Sequence, residues 1–176
     1  MNDLLLKKIQ NIKCVICDID GVLTDGSLYL DNFGNELKAF HVHDGMGLIF
    51  LKAAGIHVAV ITTATSDVIK HRMQQLGIIH YFTGQVDKHH AFHDLKTQLS
   101  VTNEQCAYIG DDLPDLAIIK QVGFGVAVAN AVQIVKDHAI FITQKSGGSG
   151  AVREVCDLIL TTQGLADAAL KKYLLS

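Results

Sequence analysis

The sequence predicts a single α/β domain, a Rossmann-like doubly wound and mostly parallel sheet, and three observations carry that expectation. Short apolar runs alternate with segments of helical periodicity along the chain. Most of those runs are apolar at both odd and even positions, the pattern of strands covered on two faces. The 176 residues are 49% hydrophobic, enough to bury one substantial core, and no linker offers a place to divide the chain in two.

The first strand is expected over residues 13–19, in the apolar run Cys14-Val-Ile-Cys17 and its flanks. Residues 27–41 then break the alternation. Ser27-Leu-Tyr-Leu and Glu36-Leu-Lys-Ala-Phe-His flank the turn-rich Asp31-Asn-Phe-Gly-Asn35, which reads as a β-hairpin inserted after the first strand. Helices are expected over 47–54, 67–76, 88–99, 113–122 and 131–137, with strands over 57–62, 107–109, 125–128 and 140–142. Gly55, Gly77 and Gly123 each follow a helical pattern and read as its stop, and Pro114 suits a first helical turn. A glycine-rich loop, Lys145-Ser-Gly-Gly-Ser-Gly150, leads into helical regions over 151–160 and 165–175, the second forming a tail over about 164–176. The domain is therefore expected to span 1–176 without a second unit.

Composition removes several function classes. Fifteen Lys and Arg against eighteen Asp and Glu give a formal charge of -3, so no basic field awaits nucleic acid or an anionic membrane. No run approaches the roughly 18 apolar residues of a spanning helix. The start, MNDLLLKKIQNIK, lacks the apolar core of a secretion signal, and a cytoplasmic protein is expected. Cys14 and Cys17 have redox-motif spacing but sit inside an apolar strand, where positions i and i+3 face opposite ways, so buried structural thiols are expected. His89 and His93 are four apart on a helix, yet no glutamate lies between them and no third zinc ligand is near.

The chemistry is concentrated at strand ends, where ligands bind in open parallel sheets. Asp18 and Asp20 follow the first strand in Asp18-Ile-Asp-Gly-Val-Leu-Thr-Asp-Gly26. Two carboxylates two residues apart repel unless a cation holds them, and a hard divalent ion such as Mg2+ fits. Gly110-Asp-Asp-Leu-Pro-Asp115 follows the strand over 107–109, and Asp111 can reach the first pair if those two strands are neighbours. Asp112 and Asp115 read either as caps of the next helix or as supporting acids. Thr62 ends another strand, and Lys88 precedes a helix.

This order, an aspartate pair, Thr, Lys, then Gly-Asp-Asp-x-x-Asp, resembles the four motifs of the haloacid dehalogenase superfamily of phosphotransferases. A closer resemblance is to its small uncapped branch, the 3-deoxy-D-manno-octulosonate 8-phosphate phosphatases. It rests on the string after Asp18, on Glu36-Leu-Lys-Ala-Phe40 with Asp44-Gly45, on Lys88-x-x-Ala-Phe92 and on Gly147-Gly-x-Gly-Ala-Val-Arg-Glu-Val-Cys-Asp-Leu158. The resemblance implies a domain without a cap, an aspartyl phosphate on Asp18, and Asp20 as the acid and then the base. It also implies Mg2+ held by Asp18, the Asp20 backbone carbonyl and Asp111, with phosphoryl contacts from Thr62 and Lys88. Implied too are a role in lipopolysaccharide sugar synthesis and a homotetramer in which hairpins meet around a shared axis and neighbours help close each site.

Two positions depart from the branch. Thr63-Ala64 stands where its members continue Gly-Arg, and His43 stands for an arginine in Val42-His-Asp-Gly45. His43 is thus a candidate substrate contact, and Arg72, along the next helix, a candidate replacement for the lost guanidinium. Two rival readings follow. One is a phosphatase for another acidic sugar phosphate, such as a nonulosonate 9-phosphate. The other, of a different class, is a phospho-accepting receiver-like module, although receivers carry their acceptor aspartate alone after a middle strand. A catalytically quiet scaffold subunit is disfavoured by the complete set of motif side chains.

Overall fold

The computed structural model describes residues 3–174. In chain order its elements are α1 (Asp3–Gln10), β1 (Cys14–Cys17), β2 (Tyr29–Leu30), β3 (Glu36–Leu37), α2 (Val42–Ala53), β4 (His57–Ile61), α3 (Asp67–Leu76), β5 (His80–Phe82), α4 (Lys88–Leu99), β6 (Cys106–Gly110), α5 (Leu113–Ile119), β7 (Phe124–Ala127), α6 (Gln133–His138), β8 (Phe141–Ile142), α7 (Ala151–Thr162) and α8 (Ala166–Leu174). Six of the strands form one parallel sheet in the order β5-β4-β1-β6-β7-β8. This is the predicted doubly wound α/β fold, and among the described residues no cap domain interrupts it.

The sheet is covered on both faces, which explains why its strands read as apolar at both parities. Every residue of β1, β6 and β7 is buried. α2 packs against α3, α7 and α8 over one face, and α4, α5 and α6 pack together over the other. The four cysteines are free and buried, as expected for Cys14 and Cys17.

The differences from the expected elements have local causes. α1 and β5 are too short for periodicity to mark them: α1 has eight residues and fully buries Ile9 alone, and β5 is a three-residue edge strand, half-buried throughout. α2 begins at Val42 rather than at residue 47, because Gly45 and Gly47 weaken the helical pattern. Both glycines are there for packing. A Cβ on Gly45 would lie 2.4 Å from Arg72 Nη2, and one on Gly47 would lie 3.1 Å from Cys156 on α7. The hairpin is present but shorter than expected, with only two residues in each strand, forming a separate sheet. Asp31 closes its turn by accepting from the Phe33 and Asn35 amides at 2.8 and 2.9 Å. The tail folds back as α8 onto its own chain's α2 and α7, and the expected helix end at residue 175 lies outside the described residues.

Candidate active site

β1 and β6 are hydrogen-bonded neighbours at the centre of the sheet, the adjacency that Asp111 requires to reach the first aspartate pair. The chain runs outward from β1 through β4 to β5 and then crosses back to β6, so the crevice beyond these two strands is the switch point of the winding. The Asp18 amide still donates to the Ile109 carbonyl at 3.1 Å, after which the chain leaves the sheet. The Ile19 carbonyl then accepts from the amides of Val22, Leu23 and Thr24, closing a tight turn. Gly21 sits in that turn at φ +85°, and a Cβ there would lie 2.0 Å from Asp111 Oδ2. The turn and the second acidic cluster are thus in direct contact.

Lys88, the first residue of α4, is buried between two carboxylates. Its Nζ lies 2.9 Å from Asp18 Oδ1 and 2.7 Å from Asp115 Oδ1. Burial pulls its pKa down, but Asp18 and Asp115 together hold it above the usual lysine value. Asp115 is fully buried and has no coordination to spare. Oδ1 also accepts from the Tyr108 hydroxyl at 2.7 Å, and Oδ2 accepts from the amides of Asp111 at 2.9 Å and Asp112 at 3.3 Å. Asp112 caps α5, its side chain accepting from the Leu113 amide at 2.8 Å. Asp112 is thus a cap of α5, while Asp115 is bonded to Lys88, Tyr108 and the amides of Asp111 and Asp112.

Asp18, Asp111 and Asp115 each bring an oxygen within 4.8 Å of the others. Lys88 is the ammonium that pairs within this trio, so negative charge is in excess. Burial, and then the Asp115 charge, raise Asp18 from 3.8 to about 6 against the opposing pull of Lys88. Burial, then Asp115 and Asp18, raise Asp111 from 3.8 to about 7. Asp111 Oδ1 is buried and accepts no hydrogen bond. Since Asp115 is saturated by its own donors, Asp18 and Asp111 are the carboxylates left to a cation, and an orphaned oxygen beside excess negative charge fits a hard divalent ion.

Asp20 stands apart from this trio. Its Oδ1 lies 2.6 Å from Lys38 Nζ and 3.4 Å from Thr24 Oγ1. Thr62 is buried just after β4. Its amide donates to the Phe82 carbonyl and its carbonyl accepts from the Gln85 amide, both at 2.9 Å. A cleft of about 250 Å³ is lined by Asp18, Asp20, Thr63, Lys88, Asp111 and Asp112, among others. His43 does not line it. The ring is exposed on the first turn of α2, edge-on to His41 at 5.0 Å. Arg72 does not line it either, because its guanidinium lies over the Phe40 ring at 5.6 Å.

Four supporting residues were not legible as such. Lys38 reaches Asp20 from the hairpin, and Tyr108 supports Asp115 from inside the sheet. Asn130 donates to the Gly21 carbonyl at 3.0 Å and accepts from the Gly147 amide at 2.6 Å, tying the glycine-rich loop onto the Asp18 turn. A Cβ on Gly147 would lie 1.8 Å from the Gly21 carbonyl oxygen, which explains that glycine. Asp44 anchors the same loop from α2, accepting from the amides of Gly150 at 3.2 Å and Arg153 at 2.7 Å. Lys38 and Asp44 lie in strings that carried the resemblance, and those strings were the available signal. No spacing rule points to Tyr108 or Asn130.

Known proteins resemble the chain in sequence and in fold. The 3-deoxy-D-manno-octulosonate 8-phosphate phosphatase KdsC of Yersinia pestis is 46% identical over 167 residues, 95% of this chain and 89% of its own. A structure from Legionella pneumophila, described as a subfamily III A hydrolase of the haloacid dehalogenase superfamily, is 59% identical with a TM-score of 0.96, over 99% of this chain and 96% of its own. The 3-deoxy-D-manno-octulosonate 8-phosphate phosphatase of Moraxella catarrhalis, solved with a magnesium ion, a phosphate ion and a KDO molecule, is 42% identical with a TM-score of 0.94, over 98% of this chain and 99% of its own. A family model for haloacid dehalogenase-like hydrolases matches residues 59–155. With Asp18, Lys88 and Asp111 gathered at one end of a doubly wound sheet and relatives of this similarity along nearly its whole length, the chain belongs to the haloacid dehalogenase-like hydrolases.

Proposed function

We propose that this chain is a Mg2+-dependent phosphatase that hydrolyses 3-deoxy-D-manno-octulosonate 8-phosphate to the free sugar and inorganic phosphate, in lipopolysaccharide sugar synthesis. The observation that carries the reading is the cleft itself: a buried Asp18 faces Lys88 beside the orphaned oxygen of Asp111. The phosphatases of Yersinia pestis and Moraxella catarrhalis support the choice of sugar.

In this mechanism an Asp18 oxygen attacks phosphorus, and the bond from phosphorus to the sugar oxygen breaks. The electron pair leaves with that oxygen, which takes the proton carried by Asp20. Asp20, now a carboxylate, accepts a proton from water as the water attacks phosphorus. The acyl phosphate bond breaks, returning Asp18 as a carboxylate and releasing phosphate. Lys88 and the Thr62 hydroxyl hold oxygens of the transferring group, Lys88 also neutralising its charge, and the Thr62 backbone bonds order the loop behind it. Asp18, Asp111 and the Asp20 backbone carbonyl would hold the magnesium ion, which when bound spreads positive charge over the transferring phosphoryl oxygens. Asp115, saturated by Lys88, Tyr108 and two amides, sets the position of Lys88 and of the Asp111 turn.

One observation favours a second substrate. Ala64 and His43 replace two arginines of the branch, and Arg72 is occupied against Phe40, so no bidentate donor for a sugar carboxylate comes from these positions. Another acidic sugar phosphate, such as a nonulosonate 9-phosphate, is the alternative. Phosphate release from a panel of acidic and neutral sugar phosphates, with and without Mg2+, tests the reading. The octulosonate 8-phosphate is expected to have the highest kcat/KM, and preference for a neutral sugar phosphate would overturn the assignment.

The assembly we infer is a homotetramer built through the hairpin. Leu28, Leu30, Phe33 and Leu37 leave apolar surface on a two-stranded ribbon that the main sheet does not cover. No helix among the described residues is long and apolar enough to cross a membrane, and the free cysteines suit a reducing cytoplasm.

A further inference from the structure

We propose that Lys38, carried by the hairpin, is the positioning residue that aligns the Asp20 carboxylate with the leaving oxygen. The inference rests on the acid–base role of Asp20 given above. Lys38 follows β3 directly, on a ribbon whose apolar side chains are largely open to solvent, yet its own side chain is 2% exposed. The ammonium is held from two sides, 2.6 Å from Asp20 Oδ1 and 2.7 Å from Glu36 Oε1. Glu36 and Lys38 both belong to the hairpin, so the ribbon itself carries the ion pair that ends on Asp20.

Asp20 needs such a tether. Its side chain is 34% exposed, so core packing does not fix its rotamer. The Lys38 ammonium and the Thr24 hydroxyl both approach Oδ1, which leaves Oδ2 as the oxygen for proton exchange with the substrate. An ammonium that only anchored the ribbon would have no reason to select one oxygen of a motif carboxylate. Losing the tether should therefore harm protonation of the leaving oxygen as well as the later activation of water, and leave the Asp18 nucleophile itself in place.

The test is leaving-group dependence in Lys38→Met, which keeps most of the stem and removes the charge. With the sugar phosphate and with phenyl phosphate, kcat/KM should fall ~10²-fold, the lower end of what a positioned acid contributes. With p-nitrophenyl phosphate, whose leaving group needs little protonation, kcat/KM should stay within about threefold of wild type. Hydrolysis of the acyl phosphate is common to the three esters, and kcat/KM, which ends at phosphoryl transfer to Asp18, excludes it. Lys38→Arg should recover most of the lost rate. Equal losses in kcat/KM on all three esters, or losses carried wholly by a higher KM at unchanged kcat, would overturn the proposal. Should Lys38→Met fail to fold, Glu36→Gln is read in the same way: a smaller loss with the same ordering supports the tether, and a flat response overturns it. Because the two aryl esters differ only in leaving group, this contrast does not depend on the sugar. Failure of the proposed function shows separately, in phosphate release by the wild type.

Discussion

At Asp18 the site is held in a charge state that folding alone does not favour. Asp18 and Asp111 are raised from 3.8 to about 6 and about 7, burial being the larger cause in each case. Between about pH 4 and pH 7 the folded state therefore keeps protons that the unfolded chain has already released. Stability without metal should fall as pH rises through that window, since the unfolded state binds fewer protons there. Asp18→Asn removes one of the repelling charges at nearly constant volume and leaves Asp115 to pair with Lys88. At pH 8 and without metal the variant should melt ~5 °C above wild type, about 1–2 kcal/mol for a chain of this size. Its melting temperature should vary less between pH 5 and pH 8. Mg2+ should stabilise the wild type more than the variant, since binding to the folded state alone shifts unfolding. Hydrolysis by Asp18→Asn should fall by at least ~10⁴-fold, as expected when a nucleophile is lost. A variant that melts below wild type at pH 8, or that still turns over, contradicts this account.

The hairpin is where local structure and function are most closely joined. Its inner edge carries Lys38 to Asp20, while Leu28, Leu30 and Leu37 remain about two-thirds exposed. Leu28→Asp together with Leu37→Asp should dissociate the proposed homotetramer, measured by sedimentation against the wild type. Activity on the sugar phosphate should drop ~10-fold or more, with a smaller effect on p-nitrophenyl phosphate, because a small ester has little use for a lid supplied by a neighbour. A doubly substituted chain that remains tetrameric would remove the hairpin from the interface. Elements were legible to the extent that their signals were local. The helices Asp67–Leu76 and Lys88–Leu99 fall within their expected bounds. Gly55 and Gly77 take the left-handed conformation expected after a helix. Gly123 was read in the same way but is small for another reason: a Cβ there would lie 2.1 Å from the Glu104 carbonyl oxygen. That contact joins residues far apart in sequence, as does the bond from Asn130 to Gly21. Spacing along one chain carries no record of them.

At the scale of the molecule, the winding of the sheet makes the site. Asp18 and Asp111 are 93 residues apart in sequence, and they meet because β6 returns to pair with β1 after the chain has travelled outward to β5. The motif order was legible because each motif ends a strand or starts a helix. Which strands were neighbours was left as a condition, and the sheet order fulfils it. Selectivity for the sugar was less legible, since neither Ala64 nor His43 supplies a guanidinium that could fix a sugar carboxylate, and neither lines the cleft. In the proposed mechanism Asp18 is phosphorylated during turnover. This is tested most directly by acid-quenching the Mg2+-loaded enzyme during hydrolysis of the octulosonate phosphate and mapping the phosphoryl group by mass spectrometry of peptides. A base-labile phosphoryl group is expected on Asp18, and with p-nitrophenyl phosphate, whose leaving group needs little acid, it should be more abundant in Asp20→Asn, which lacks the base for the second step. Turnover with no phosphorylated peptide in either protein, or with the group on another residue, would contradict it.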